Sequence, residues 1–176
     1  MLSGKEIIRE IKNKNIVIKP FDEKKVNPNS YNMRLDNKLY IYENEVLDCK
    51  KENPLKEIII PNDGLVIKPG EIYLAPTKEY TENPKYVPQI SGRSSIGRVG
   101  ISVHMTAGFG SVGFKGSWTL GITCTKPVRI YPGMEICQIY YFELVGDSSI
   151  KYSGKYSNNG DIMKSKFNDE LNKKEL

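Results

Sequence analysis

The sequence predicts a mainly β domain, of the sandwich or jelly-roll kind, that opens with one short helix. Short runs of β-branched and aromatic residues recur from Ile16 onward. Turn residues, such as the Pro-Gly pairs at 69–70 and 132–133, separate these runs about every ten residues, a spacing typical of such folds. A chain of 176 residues suffices for one domain, so we expect no second one.

The helix is predicted at the amino terminus. Ser3 stands three residues before Glu6, which is the spacing of a capping box, and Ile7, Ile8 and Ile11 would share one apolar face. The strands that follow are predicted in the runs IVI, YNMRL, LYIY, EIII, LVI, EIYLA and ICQIYYFEL, with a further strand pair after residue 91.

The composition changes from Ser148 onward, where Lys, Asn, Ser and Gly dominate. Such a segment has little apolar surface to bury. We therefore expect residues 1–160 to form the single domain. Residues 161–176 are expected to form a charged, mobile tail that a ligand or a neighbouring subunit orders in part.

Composition excludes several classes of partner and site. The net charge of +5 suits a small polyanion but is too low and too dispersed to indicate nucleic acid. Cys49, Cys124 and Cys137 show no CxxC spacing, so we expect no disulfide framework, no zinc site and a reducing cytoplasm. A charged amino terminus and the lack of an 18-residue apolar window predict neither a signal peptide nor a membrane span.

The first candidate binding motif is GRSSIGR at 92–98. It places two hydroxyls, backbone N–H groups and two guanidinium groups within one tight turn before a short helix. Phosphate oxygens accept hydrogen bonds and ion pairs from such groups. Taken alone, the motif has a second interpretation as a structural turn with a solvated Arg.

The one histidine, His104, stands between apolar residues. A hydrogen-bonded core or turn histidine is the expectation for such a position. Zinc-dependent base deamination requires a His-x-Glu and a Pro-Cys-x-x-Cys arrangement, and the chain has neither. No GxSxG motif supports nucleophilic catalysis by serine.

Several segments together resemble the dCTP deaminase and dUTPase family. They are PNSYNMRL at 28–35, GRSSIGRVG at 92–100, VHMTAGF at 103–109, GFKG at 113–116, YPGMEICQIYYF at 131–142 and YSGKYSNN at 152–159. The likeness is greatest to bacterial dCTP deaminases, including those that convert dCTP directly to dUMP. It implies a distorted jelly roll of the dUTPase-like β-clip kind, a homotrimer with nucleotide sites between subunits, and deamination without zinc. Magnesium would arrive on the nucleotide phosphates.

The resemblance also implies which residues bind the nucleotide. The turn at 94–98 would hold the triphosphate, the backbone of residues 104–108 would line the base and sugar, and tyrosines and a lysine at 152–156 would close over the phosphates. For this last segment a solvated tail is the alternative. The predicted set is Arg93, Ser94, Ser95, Arg98, His104, Thr106, Ala107, Gly108, Lys115, Gln138, Tyr152, Lys155 and Tyr156. Gln138 is expected to be structural or to line the rim.

Two positions depart from the family pattern. Members read T-A-G-F-x-D-x-G-F-x-G and then x-x-T-L-E, whereas this chain has Ser111 for the aspartate and Gly121 for the glutamate. In the family the glutamate transfers protons, and in the dUTPase branch the aspartate orients the attacking water. A positioned proton-transfer group contributes about 10² to 10⁴-fold in rate, so the sequence predicts no catalytic residue. Glu135, Glu143 and Asp161 lie where the family places no chemistry.

The strand SWTLGITC carries a further expectation. Alternation places Trp118 opposite Gly121, so the indole is expected in the core or at a trimer contact rather than against a base. The glycine would leave room in the site, and Lys115 would add positive charge. Such a pocket should retain a polyanion.

Three hypotheses follow. The favoured one is a catalytically silent nucleotide-binding protein that sequesters or senses a nucleotide, for example a phage or mobile-element sponge that evades antiviral defence. The second is an active hydrolase of nucleotide metabolism, either a dCTP deaminase forming dUMP or dUTP or a dUTP diphosphatase. The third is a trimeric protein-interaction scaffold, against which the retained phosphate motif counts. The base, the phosphate number and the choice between mononucleotide and cyclic dinucleotide stay open.

Overall fold

A computed structural model of the chain describes residues 1–105, 107–147, 149–157 and 162–173. Its elements are helices α1 (Gly4–Lys12), α2 (Ser94–Arg98) and α3 (Phe167–Asn172), a 3₁₀ turn (Glu23–Lys25), and strands β1 (Val17–Lys19), β2 (Tyr31–Arg34), β3 (Lys38–Tyr42), β4 (Leu55–Ile59), β5 (Leu65–Ile67), β6 (Tyr73–Glu82), β7 (Val87–Gly92), β8 (Ile101–Ser102), β9 (Lys115–Cys124), β10 (Val128–Ile130) and β11 (Glu135–Phe142).

The strands form antiparallel sheets. The larger sheet has the order β4-β3-β6-β9-β8, with β1 also paired to β6, and a second sheet has the order β2-β11-β7. Strands β5 and β10 form a separate pair. Buried side chains of both main sheets belong to one apolar core, to which β9 contributes Leu120 and Ile122 and β11 contributes Ile139 and Tyr141. The mainly β fold with a short amino-terminal helix is as predicted.

Helix α1 begins at the predicted cap. The Ser3 hydroxyl accepts a hydrogen bond from the backbone N–H of Glu6 at 3.3 Å. Ile7 is fully buried, and Ile11 packs against the same core. The amphipathic pattern and the Ser-x-x-Glu signature therefore locate the start of the helix correctly.

The end of α1 is anchored through a buried carboxylate. Glu10 accepts hydrogen bonds from Asn15 Nδ2 at 2.8 Å, from the Tyr86 hydroxyl at 2.9 Å and from Asn13 Nδ2 at 3.2 Å. Burial alone would raise the pKa of this carboxyl, but the hydrogen bonds outweigh burial and lower it. The ionised carboxylate thus ties the helix to the segment that enters β7.

Strand β7 was not among the predicted runs. Its second residue is Pro88, which cannot donate a ladder hydrogen bond, and Gln89 and Ser91 interrupt its apolar character. The strand occupies the edge of the β2-β11-β7 sheet, where proline is tolerated. Pairing with β11 therefore overrides a weak local signal.

Residues 162–173 include α3, which lies within the predicted tail. The domain boundary near residue 160 and the mobility of the tail stay predictions. None of the helices in the described part of the chain has the length and apolar content needed to cross a membrane.

Candidate functional site

A pocket of about 410 Å³ opens beside the first half of β9. Its walls are largely aromatic: the rings of Phe114 and Trp118 have centroids 4.7 Å apart, and those of Phe114 and Tyr152 are 6.2 Å apart. Apolar walls with a few polar groups are typical of small-molecule sites. The residues that line it are His104, Ala107, Phe109, Gly110, Ser111, Phe114, Ser117, Trp118, Thr119, Tyr152, Tyr156, Met163 and Ser165.

Two glycines allow one wall of this pocket to form. The N–H of Ile90 donates to Gly108 O at 2.7 Å, and the N–H of Gly110 donates to Pro88 O at 2.8 Å. A Cβ at Gly108 would lie 2.5 Å from the Ile90 oxygen, and one at Gly110 would lie 2.5 Å from the Trp118 ring. Only glycine therefore lets this segment lie so close to β7, and the intervening Phe109 is left 67% exposed.

Trp118 has a role that the sequence interpretation left out. The indole is buried, as expected for core packing, and its Nε1–H donates to Thr81 Oγ1 at 3.0 Å. The same ring also lines the pocket. The alternation of β9 identified its buried face, but periodicity along one strand does not reveal a cavity that a distant loop encloses.

The phosphate motif forms α2 and borders a second concavity, of about 460 Å³. Arg93, Ser94 and His104 are among its lining residues, and His104 lines the aromatic pocket as well. Ser95 and Arg98 are exposed and line neither cavity. The structure of this chain therefore places the turn next to the aromatic pocket but does not bring all its predicted phosphate ligands into that pocket.

Arg93 and Gln138 are both held by neighbouring strands. Arg93 Nη1 donates to the backbone oxygen of Glu135 at 3.0 Å and lies 3.2 Å from its carboxylate. Gln138 accepts from the Ser30 hydroxyl at 3.0 Å, and its Nε2 lies 3.5 Å from Gly92 O. Gln138 borders a different small cavity, a position compatible with the predicted structural role.

His104 differs from its expected environment. The predicted histidine is hydrogen-bonded, but Nδ1 of His104 is buried and has no hydrogen-bond partner among the residues that the structure describes. Buried polar atoms are rarely left without partners, so such an atom in a pocket wall is available to a ligand. The prediction of a satisfied histidine is therefore wrong for the described part of the chain.

The segment at 152–157 lies at the pocket together with part of the predicted tail. Tyr152 and Tyr156 line the cavity, as do Met163 and Ser165. The backbone N–H of Tyr152 donates to Val112 O at 2.8 Å, which fixes the segment against the loop before β9. The composition of the tail gave no indication that Met163 and Ser165 would reach the site.

The ammonium group of Lys155 contacts other residues of the chain. Its Nζ donates to the backbone oxygen of Lys166 at 3.1 Å and forms an ion pair with Glu170. Lys115, the other predicted cation near the site, is exposed and lies 3.4 Å from Glu82 instead of lining the pocket. Two residues considered from the sequence, Thr106 and Asp161, lie outside the described residues.

The two substituted positions differ in their surroundings. Ser111 is exposed and lines the pocket. Gly121 is half-buried on β9, and a Cβ built there would meet no heavy atom within 4 Å. The strand therefore has space for a side chain at position 121.

Comparison with known proteins decides the family. Residues 1–144 match the sequence profile described as dCTP deaminase-like. This chain belongs to the dCTP deaminase-like family. It is 55% identical over 165 residues to the dUMP-forming dCTP deaminase of Clostridium beijerinckii, with 94% of this chain and 95% of the relative covered. Identity to the protein of the same name from Clostridium acetobutylicum is 57%, with the same coverage. The dUMP-forming dCTP deaminase of Leptospira biflexa is 49% identical to this chain over 174 residues, which cover 99% of each protein.

A solved structure supports the fold of this dCTP deaminase-like chain. The 2'-deoxycytidine 5'-triphosphate deaminase of Agrobacterium tumefaciens superposes with a TM-score of 0.63 at 22% identity. The superposition covers 80% of this chain and 47% of the Agrobacterium chain, so the present chain spans about half the length of that protein. At this identity the likeness concerns the fold alone.

The prediction of a catalytically silent nucleotide sponge or sensor is wrong in the light of these relatives. Relatives that are 49–57% identical to this chain over 94–99% of its length bear the name of an enzyme. The prediction rested on Ser111 and Gly121 alone. The likeness to these enzymes extends over 165 residues and more, and it outweighs two substituted positions as evidence on activity.

Proposed function

We propose that this protein is a dCTP deaminase that releases dUMP. The observation that carries the proposal is the 55–57% identity over 165 residues to clostridial proteins of that name. Substrate class and reaction type are usually shared at such identity when the likeness covers nearly the whole chain. The retained phosphate motif at α2 and the aromatic pocket beside β9 agree with a nucleotide substrate.

The proposed reaction consumes two water molecules. One adds to C4 of the cytosine, and ammonia leaves to give uracil. The other attacks the α phosphorus and breaks its bond to the oxygen that bridges it to the β phosphorus, so that dUMP and pyrophosphate are released. The aromatic walls of the pocket, Phe114, Trp118 and Tyr152, offer apolar surface to a base or sugar. Magnesium is proposed to enter as part of the substrate, on its phosphates.

The proposed assembly is a homotrimer with sites between subunits, in the cytoplasm. Two observations support shared sites. Ser95 and Arg98 are exposed and lie outside the aromatic pocket of their own subunit. Apolar side chains near the pocket are exposed in the isolated chain, among them Phe109 and Ile150. A second copy that covers this surface could bring its α2 turn to the pocket.

Ser111 and Gly121 place a demand on the proposed chemistry. A group must move protons between the attacking water and the departing amine, and the glycine offers none. The polar groups that line the described pocket are hydroxyls, such as those of Ser111 and Thr119, and the imidazole of His104. We infer that proton transfer through such groups limits the rate, so turnover is slower than a carboxylate at position 121 would permit.

The test is a turnover assay with the purified full chain. The protein is incubated with dCTP and magnesium, and dUMP, dUTP, ammonia and pyrophosphate are quantified over time. We expect dUMP and ammonia in equal amounts, in excess of the protein. The double variant Ser94→Ala/Arg98→Met serves as the matched control, because it should remove phosphate binding and leave the fold intact.

Three results would contradict the proposal. A lack of product beyond the amount of protein would exclude turnover. Accumulation of dUTP would leave a deaminase that does not release dUMP. Equal activity of the Ser94→Ala/Arg98→Met variant would identify a contaminating enzyme as the source of the product.

A further inference from the structure

Glu135 lies at the start of β11, where it gathers cationic and amide groups from three other parts of the chain. Its carboxylate accepts from Lys25 Nζ at 2.7 Å and from Asn32 Nδ2 at 2.9 Å, and lies 3.2 Å from Arg93 Nη1. The same Nη1 donates to the Glu135 backbone oxygen at 3.0 Å. One residue therefore connects the 3₁₀ turn, β2 and the entry to α2.

Arg93 is the residue through which this connection reaches the phosphate turn. It precedes α2, and its carbonyl accepts the N–H groups of Ile96 and Gly97, both at 3.0 Å. The side chain of Arg93 makes no capping hydrogen bond to α2. The direction in which α2 leaves β7 therefore depends on the position of Arg93, whose Nη1 contacts two oxygens of Glu135, one of the backbone and one of the carboxylate.

The electrostatics favour a lasting contact. Side-chain exposures are 16% for Lys25, 27% for Glu135 and 33% for Arg93, so the pairs are partly shielded from water and salt. The hydrogen bond from Lys25 and the charges of Lys25 and Arg93 lower the pKa of the Glu135 carboxyl, which is therefore ionised at neutral pH. Lys25 also lies 3.9 Å from Asp22 Oδ2, whereas the Arg93 guanidinium is engaged with Glu135.

We propose that Glu135 is a positioning residue for the nucleotide phosphates. It holds Arg93, and through Arg93 it holds the exposed hydroxyls and guanidinium of α2 in the arrangement that receives the triphosphate. Arg93 itself then supports the turn. The inference rests on the proposed function, because the ligand is taken to be a nucleoside triphosphate. It assigns a role in phosphate binding to Glu135, which the sequence analysis excluded as a catalytic residue.

The experiment compares Glu135→Ala and Glu135→Gln with wild type in the full chain. Isothermal titration calorimetry gives the dissociation constants for deoxycytidine and inorganic tripolyphosphate with magnesium, and for dCTP with magnesium withheld to suppress turnover. Steady-state assays with magnesium give kcat and KM for dCTP. Glu57→Gln is the matched control, because it removes a carboxylate that pairs with Lys38 at 3.5 Å in the other sheet.

We expect Glu135→Ala to weaken dCTP and tripolyphosphate binding by about tenfold or more, since charge-assisted contacts fix the turn. The dissociation constant for deoxycytidine should be unchanged, KM should rise, and kcat should change by less than about threefold, because only phosphate contacts are disturbed. Glu135→Gln should show a smaller loss in the same direction. Glu57→Gln should bind all three ligands as wild type does.

A double variant tests the route through Arg93. Since Glu135 is proposed to act through Arg93, Arg93→Ala and Arg93→Ala/Glu135→Ala should lose the same tripolyphosphate affinity. Independent, multiplicative losses would overturn the inference. So would wild-type affinity in Glu135→Ala, or an equal loss for dCTP and deoxycytidine. If Glu135→Ala does not fold, Glu135→Gln and Arg93→Ala decide by the same criteria.

Failure of this inference is distinguishable from failure of the proposed function. Turnover of dCTP with a KM that does not depend on Glu135 would overturn the positioning role alone. Tripolyphosphate binding that depends on Glu135 in a protein without turnover would overturn the dUMP-forming activity alone. Wild-type protein that binds neither dCTP nor tripolyphosphate would contradict both.

Discussion

The backbone N–H of Met163 donates a hydrogen bond to Thr119 Oγ1 at 3.0 Å, which joins the carboxy-terminal part of the chain to β9. Both residues line the aromatic pocket. A second contact supports this arrangement, because the N–H of Lys166 donates to the Tyr156 hydroxyl at 3.0 Å. The pocket is therefore enclosed in part by residues from beyond the β sheets.

Thr119→Val is expected to loosen this enclosure. Valine keeps the shape of threonine but cannot accept the Met163 hydrogen bond, a loss of about 0.5–1.5 kcal/mol in local stability. Hydrogen exchange followed by mass spectrometry should show faster exchange in residues 162–166. Thr123→Val, on the same face of β9, is the control and should leave that segment protected. Unchanged exchange in Thr119→Val would show that the hydrogen bond does not hold the segment.

Gly121→Glu is expected to raise kcat for dCTP by about 10² or more. Gly121 follows Thr119 of the pocket wall by two residues on β9, and the backbone has space for a side chain there. A carboxylate that reaches the pocket from this position would supply the proton-transfer group that glycine lacks. The rate should be measured under saturating dCTP and magnesium.

Gly121→Gln is the matched control, since it has the same size and cannot transfer protons in the same way. It should remain near the wild-type rate. Equal gains from glutamate and glutamine would indicate that bulk, and not proton transfer, limits turnover.

Gly110→Ala is expected to destabilise the fold by about 1–3 kcal/mol, as overpacking does. The new Cβ would lie 2.5 Å from the Trp118 ring and 2.9 Å from Pro88 Cγ, both in a tightly packed region. Urea unfolding measures the change. Gly97→Ala, where a Cβ meets nothing within 4 Å, is the control and should be neutral or stabilising. If Gly110→Ala is as stable as wild type, Trp118 and Pro88 must move to admit the methyl group without a measurable loss of stability.

Glu10→Gln tests the buried carboxylate at the end of α1. The pKa of Glu10 is lowered in the folded protein, so its contribution to stability is present above the unfolded pKa and is lost as pH falls through the folded value. We expect the variant to be about 1–3 kcal/mol less stable than wild type at pH 7. The difference in the free energy of unfolding between the variant and wild type should become smaller as the pH falls below about 4, near the ordinary pKa of glutamate.

Urea unfolding at several pH values provides the measurement. Glu6→Gln, on the exposed side of the same helix, is the comparison and should lower the free energy of unfolding at pH 7 much less than Glu10→Gln does. A difference between wild type and Glu10→Gln that stays constant with pH would contradict the role assigned to the ionised carboxylate.

Capping residues and hydrophobic periodicity predicted the helix and the strand whose formation depends mainly on local sequence. Ser3 and Glu6 identified the start of α1, and the alternation around Leu120 identified the buried face of β9. Strand β7 was missed because Pro88 weakens its pattern, and pairing with β11 supplies what the local sequence does not. The β fold follows from these periodicities, whereas the edge strand follows from long-range pairing.

Site residues that belong to a sequence motif could be predicted, whereas those brought together by the fold from distant parts of the chain could not. The motif around Ser94 forms the predicted turn into α2, and Tyr152 lines the aromatic pocket. Closure of Tyr152 over the phosphates stays a prediction. Trp118 and Met163 were missed, because their contribution depends on a loop and a tail that meet β9 from different parts of the chain. The contact of Arg93 with Glu135 spans 42 residues, which no motif spacing reveals.

One imidazole lies in the walls of two adjoining concavities. His104 borders both the aromatic pocket and the cavity beside α2. A ligand group that contacts the ring in the aromatic pocket therefore contacts a residue that also borders the cavity beside α2. A substitution of His104 would alter the walls of both cavities at once.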